Sequence, residues 1–116
     1  MRLDFSSYGE SYTGLWFKPD GSVMYAADNA NDSIDIYTAS SGNEYVLNQY
    51  SYSSTKSLSA ISGITDLRSI VFKSDGSKFF AVCRLTYTVY EFTMASAWDV
   101  ETHSIHHQTY TMSILL

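Results

Sequence analysis

The chain has 116 residues, a length that fits one small domain, and 45% of them are apolar, enough for a core. The formal net charge of −5 argues against a nucleic-acid footprint, which needs a basic face. No apolar run reaches the length of a membrane helix, and Met-Arg-Leu-Asp-Phe at the start lacks the apolar core of a signal peptide.

Charged residues make up only 16% of the chain, so solubility leans on Ser, Thr, Asn and ten Tyr. Tyrosine has an apolar body and a polar tip, which suits strands and half-wet surfaces. Cys83 is the single cysteine, so no internal disulfide forms, and its place between Val82 and Arg84 reads as a small buried hydrophobe.

One stretch organises the rest. Phe17-Lys18-Pro19-Asp20-Gly21-Ser22 returns 55 residues later as Phe72-Lys73-Ser74-Asp75-Gly76-Ser77. The flanks repeat with it: Leu15 answers Ile70, Ile34 answers Val89, and Tyr37-Thr38 answers Phe92-Thr93. Repeats of this period belong to solenoids, propellers or arrays.

In chain order, Arg2–Ser6 alternates, with Leu3 and Phe5 on one side, and predicts a short strand. Tyr12–Lys18 is the next, with Gly14 marking a close approach of backbones. Pro19-Asp20-Gly21 is a turn. Proline presets φ, aspartate bonds the local backbone, and glycine takes the left-handed conformation. Ser22–Ala27 is mostly apolar and predicts a strand buried on both faces. Asp28–Asp32 is a turn whose oxygen ligands fail the EF-hand spacing, because Ala30 takes the third position. Ser33–Ala39 and Glu44–Ser53 complete the first unit, and the Ser-rich stretch Ser54–Leu67 connects it to the second. That unit runs Arg68–Lys73, Lys78–Cys83 and Thr88–Met94, then a loop carrying Trp98, then Ser104–Ile114. No segment of ten residues has helical periodicity.

Each unit is therefore four short strands joined by tight turns, which is the blade of a β-propeller. The expected fold is all-β, a single domain with blades over about 12–53 and 68–114, and with residues 1–8 as an extra outer strand. Gly14-Leu-Trp-Phe-Lys-Pro-Asp-Gly-Ser-Val-Met-Tyr25, followed by Ile36-Tyr37-Thr38, resembles the propeller repeats of bacterial and phage proteins, the YVTN-type and other Pro-Asp-Gly families. Glu91-Phe92-Thr93 and Ala95–Val100 are similar to the same pattern. The sequence departs from it where Pro19 becomes Ser74 and where the first unit lacks the Ala-Trp-Asp-Val element. The resemblance implies the fold, and it leaves activity open because such families include enzymes, receptors and virion parts.

Two blades cannot close a ring, since a propeller takes about four to eight. Either the chain is part of a longer polypeptide or identical chains assemble in a ring, and the Met at its start with no evident linker at its end favours assembly. Three copies give a six-bladed homotrimer, with Leu3 and Phe5 as the candidate strand exchanged with a neighbour.

His103, His106 and His107 do not share one strand face, so no metal site is expected from them. Glu10, Asp66, Glu91 and Asp99 are scattered without a pairing interval, and no nucleophile–base motif or phosphate loop is present. No cofactor is expected. Asp20, Gly21, Asp75 and Gly76, with Pro19, are structural turns. Trp98, Trp16 and Tyr45 are the aromatic candidates for ligand or partner contacts. These readings give a non-enzymatic module of structural or adhesive role, most economically a phage virion component that decorates a capsid or forms a spike or tail part. The partners are other copies of itself and a capsid or tail protein, at a virion or extracellular surface. The competing reading is a trimeric lectin that binds a surface glycan between blades.

Overall fold

The computed structural model describes the chain apart from Met1, Phe5, Glu10 and residues 112–116, and describes residues 102–111 by their backbone alone. It is all-β. The first sheet holds β1 (Tyr12–Phe17), β2 (Val23–Asp28), β3 (Ser33–Thr38) and β4 (Ser51–Ser57). The second holds β5 (Leu67–Phe72), β6 (Lys78–Cys83), β7 (Thr88–Met94) and β8 (His103–Thr111). Both are antiparallel, and in each the sheet order is the chain order.

The repeated turn acts as its sequence predicts. Asp20 Oδ1 accepts from the Ser22 backbone N–H at 2.9 Å and from the Ser22 hydroxyl at 2.6 Å. Asp75 makes the same pair of bonds to Ser77, at 2.9 and 2.7 Å. Gly21 and Gly76 have φ of 75° and 74°, the left-handed region that favours glycine. At both glycines an aromatic ring occupies the space a Cβ would need: Tyr45 lies 2.5 Å from that position at Gly21, and Trp98 lies 2.3 Å from it at Gly76.

The fourth strand of the first sheet lies later than the sequence predicts. Tyr45 sits over Gly21, and the buried Tyr50 donates its hydroxyl to the Gly21 carbonyl at 2.5 Å, so the aromatic stretch plugs the turn instead of entering the sheet. The strand is formed by Ser51–Ser57, whose exposure alternates residue by residue as an outer strand requires.

Among the described residues no strand forms at the N-terminal segment. Arg2, Leu3 and Asp4 are not in a strand, and Leu3 packs against the first sheet beside Met24, Ala26 and Tyr37. Phe5 lies outside the described residues. The reason is visible in the repeat: Leu3 is the counterpart, 55 residues back, of Leu58, which is fully buried in the core. The connector 58–66 is a run of turns that inserts Leu58 and Ile64 into that core, and the start of the chain is its earlier copy. Alternation alone could not separate such a connector from a strand.

The core lies between the two sheets. Tyr25, Ala27 and Ile34 of the first sheet meet Ile70, Phe72, Phe79 and Phe92 of the second. β1 lies against β5. The Thr13 hydroxyl donates to the Arg68 carbonyl at 2.8 Å, and a Cβ at Gly14 would stand 3.2 Å from that oxygen and from the Ser69 Cα. Gly14 thus sets how closely the sheets approach, as expected for a glycine inside a strand.

Leu58→Ala removes a fully buried side chain from this core, and a loss of about 2–5 kcal/mol in urea unfolding is expected. Ser59→Ala, at the neighbouring exposed position, should change stability by less than about 0.5 kcal/mol. Equal effects at the two positions would refute the inserted-connector account.

Candidate functional site

Three segments meet at one end of the molecule: the β2–β3 turn, the β6–β7 turn and the end of the connector at Asp66. Asp66 has φ of 55°, left-handed for a residue with a side chain, and this holds it at the start of β5. Its carboxylate is 10% exposed and accepts from three directions. Asn29 Nδ2 donates to Oδ1 at 2.7 Å, and Arg84 Nε donates to Oδ2 at 2.9 Å. Arg68 Nε lies 3.2 Å from Oδ1, an ion pair whose angle does not make a hydrogen bond. Asn29 also donates to the Leu67 carbonyl at 2.9 Å, and Asp32 Oδ1 accepts from the Leu67 N–H at 3.0 Å.

The electrostatics follow from these contacts. The Asn29 amide, then the Arg84 guanidinium and the charge of Arg68, hold the Asp66 carboxyl below the usual carboxylate range, against its partial burial. Asp66 therefore stays anionic near neutrality and acts as a clamp for two cations. Arg68 and Arg84 remain 36% and 62% exposed. One carboxylate between two half-open guanidinium groups leaves this end with spare positive hydrogen-bond donors.

Asp28 sits next to this cluster, with almost no exposure. It accepts from the Ala30 N–H at 3.0 Å, from Asn31 Nδ2 at 2.8 Å and from the Ser11 N–H at 3.3 Å, which makes it a turn carboxylate. Among the described residues no three His, Cys, Asp or Glu side chains gather as a metal would need. A second buried acid, Asp35, accepts from the hydroxyls of Tyr12 and Thr55, and Tyr37 lies beside Tyr12. Burial, then the bond to Asp35, pushes the Tyr12 phenol upward. This network ties β1, β3 and β4 together across one face of the first sheet.

The aromatic candidates lie mostly at the opposite end. Trp98 covers Gly76, stacks on Phe72 at 5.5 Å between ring centres, and accepts from the Tyr25 hydroxyl at its backbone carbonyl. Tyr45 covers Gly21, packs on Phe17 at 5.6 Å and donates to the Pro19 carbonyl at 2.6 Å. Trp16 is partly buried against Phe72 at 6.3 Å. Trp98 also borders an open cavity of about 270 Å³ between the first sheet and the 97–101 loop, lined with Lys18, Thr38, Ser54 and Glu101. Trp16 and Trp98 thus share Phe72, while Tyr45 stands at the other turn. His103, His106 and His107 lie along β8, described by its backbone alone.

Sequence reasoning missed Asn29, Arg68 and Arg84 and left Asp66 among scattered acids. The repeat carried a signal for them. Ser11, Thr13 and Asn29 of the first unit become Asp66, Arg68 and Arg84 in the second, so charge enters at the matching turn ends.

No family model and no curated protein matches the chain. A solved structure does: that of a candidate 6-phosphogluconolactonase from Bacteroides uniformis, 20% identical, with a TM-score of 0.61 over 88% of this chain and 26% of that one. The chain thus spans about a quarter of the length of that protein. At this identity the likeness shows the fold alone. It still corrects the expectation of a non-enzymatic structural or adhesive virion component, or of a trimeric lectin, because the fold matched is one that a protein named as an enzyme carries. The expectation of no activity rested on the lack of a linear motif. A sheet scaffold draws its site from separate turns, so such a motif is not required.

Asp66→Asn should flatten the acid limb of stability. A carboxyl held below its unfolded value contributes stability that is present above that value and lost as pH falls through the folded one. Chemical unfolding compared between pH 5 and pH 2.5 should show a smaller loss in the variant than in the parent. An unchanged acid limb would show that the clamp carries no net interaction.

Proposed function

We propose that the chain is a two-blade segment of a β-propeller enzyme that acts on a phosphorylated sugar lactone. The blade reading is supported by the two four-stranded meanders stacked through their first strands, by the 55-residue repeat and by the likeness in fold. A propeller closes with about four to eight blades, so two blades call for further sheets; three copies in a six-bladed ring are the closed form this reading favours.

The observation that carries the chemistry is the Arg84–Asp66–Arg68 bracket. Both guanidinium groups meet Asp66 through Nε. The Nη nitrogens are then the donors that a phosphate monoester would engage, in the planar forked geometry that arginine offers to phosphate. Asn29 and Asp66 act as positioning residues. Hydrolysis of the lactone bonds a water oxygen to the carbonyl carbon and breaks the ring C–O bond, and the freed ring oxygen takes a proton. The residues of this end bind and orient the phosphate while that happens.

Hydrolysis of 6-phosphogluconolactone by the purified chain, followed as acid release, tests the reading. The parent should exceed the spontaneous rate. Arg84→Ala should raise KM about 10-fold or more with a smaller change in kcat, the loss of about 1.5–3 kcal/mol for a charged hydrogen bond. A parent rate equal to the spontaneous one would overturn the assignment.

A further inference from the structure

Each sheet has two faces, and the repeat allows them to be compared position by position. One face of the first sheet is covered by the second sheet. Its residues include Trp16, Tyr25 and Ile34, and Tyr25 and Ile34 are essentially unexposed. Their counterparts 55 residues on are Val71, Phe80 and Val89. These stand on the corresponding face of the second sheet: Val71 pairs with Phe80 across β5 and β6, and Val82 pairs with Val89 across β6 and β7. Val71 is 40% exposed, and Phe80 and Val89 are half-buried. The second sheet thus leaves Val71, Phe80 and Val89 of that face uncovered among the described residues, beside a Lys78–Glu91 ion pair of 3.1 Å that replaces Val23 and Ile36 of the first sheet.

The opposite faces show the converse. On the second sheet Ile70 and Phe79 are buried against the first sheet, with Leu58 of the connector beside them. Their counterparts on the first sheet are Leu15, Met24 and Leu3. Leu15 is 48% exposed, while Leu3 packs over Met24 much as Leu58 serves the second sheet. The surface that would cover the open face of the second sheet therefore exists on the same chain, at its other side, with its connector in place.

We infer that the open face of the second sheet, centred on Val71, receives the Leu15 face of the first sheet of another copy of this chain. This rests on the blade reading and not on the lactone chemistry. The interface is continuous with the one inside the chain, where the Trp16 face already receives the Ile70 face. It is heterologous: two different patches meet, so each copy offers one of each, and the contact propagates until rotation closes it into a ring. No strand exchange is needed, because the N-terminal segment serves as the connector of its own first sheet.

Light scattering on a sizing column measures this directly. The parent should give a closed multiple of the 13.0 kDa chain mass, three copies if the ring has six sheets. Leu15→Asp and Val71→Asp should each give monomers alone. Mixed one to one, they should form a dimer, because the first keeps an intact Val71 face and the second an intact Leu15 face. A monomeric parent at about 100 μM overturns the inference, as does a Val71→Asp chain that keeps the parent mass, which would mark a contact of like patches. Far-UV circular dichroism checks that each variant folds, and Leu15→Ser with Val71→Ser replaces the pair if an aspartate does not fold. Lactone hydrolysis is read separately: a ring without hydrolysis fails the substrate assignment only, and a hydrolysing monomer fails this one only.

Discussion

The structure depends on the close approach of β1 to β5 at Gly14. Only a residue without Cβ leaves the Arg68 carbonyl and the Ser69 Cα at their present distance, and that distance brings the Tyr25 face onto Phe72 and Phe79. The Thr13 hydroxyl fastens the same place by bonding the Arg68 carbonyl. From this contact follow the buried core and the meeting of the two β–β turns at one end. The second unit has Ser69 where the first has Gly14.

Much of the fold was legible because two periods agree. Alternation assigned β3 and an apolar run assigned β2, and the repeat carried both to β7 and β6, all close to their observed bounds. Across the chain the 55-residue period paired Asp20-Gly21 with Asp75-Gly76 and so fixed both hairpin turns by chemistry rather than by composition. What failed were segments whose local pattern contradicts their tertiary role. Glu44–Ser53 is rich in tyrosine, which favours strands, yet Tyr45 and Tyr50 are spent on closing the Gly21 turn. Arg2–Ser6 alternates, yet Leu3 repeats a connector. In both cases a specific packing partner overrides propensity, which weighs at most about 1 kcal/mol per residue.

The candidate site was less legible, for a related reason. The pairing of β5 with β6 brings Arg84 to Asp66 and Arg68, and the stacking of the sheets adds Asn29, so no interval in the sequence announces the four together. The aromatic candidates drew notice by size and type, and two of them cap the turn glycines. Tyr45 and Trp98 sit 24 and 22 residues after their turn glycines, Gly21 and Gly76. Both have left-handed backbones, with φ of 61° and 67°, and both lay a ring over the glycine. A flat side chain on the turn shields its backbone from water, and glycine is required beneath it because any Cβ would meet the ring. The same demand is met by two loops of different length, so the geometry of the plug is kept where the sequence around it is not.

The two ends of the molecule have diverged in opposite ways between the repeats. At the turn-glycine end the chemistry is held: Asp20 and Asp75 make the same bonds, Lys18 and Lys73 pair with them at 3.4 and 3.2 Å, and an aromatic caps each turn. At the Asp66 end the backbone is held while the side chains change. Asn29 N–H bonds the Ser11 carbonyl at 2.7 Å, and Arg84 N–H bonds the Asp66 carbonyl at 3.2 Å, the same bond in both units. Yet Ser11 has become Asp66 and Asn29 has become Arg84. Turns that must hold a sheet together tolerate little change in the residues that cap them. A backbone bond frees its side chains from that duty, so charge can enter there without disturbing the fold.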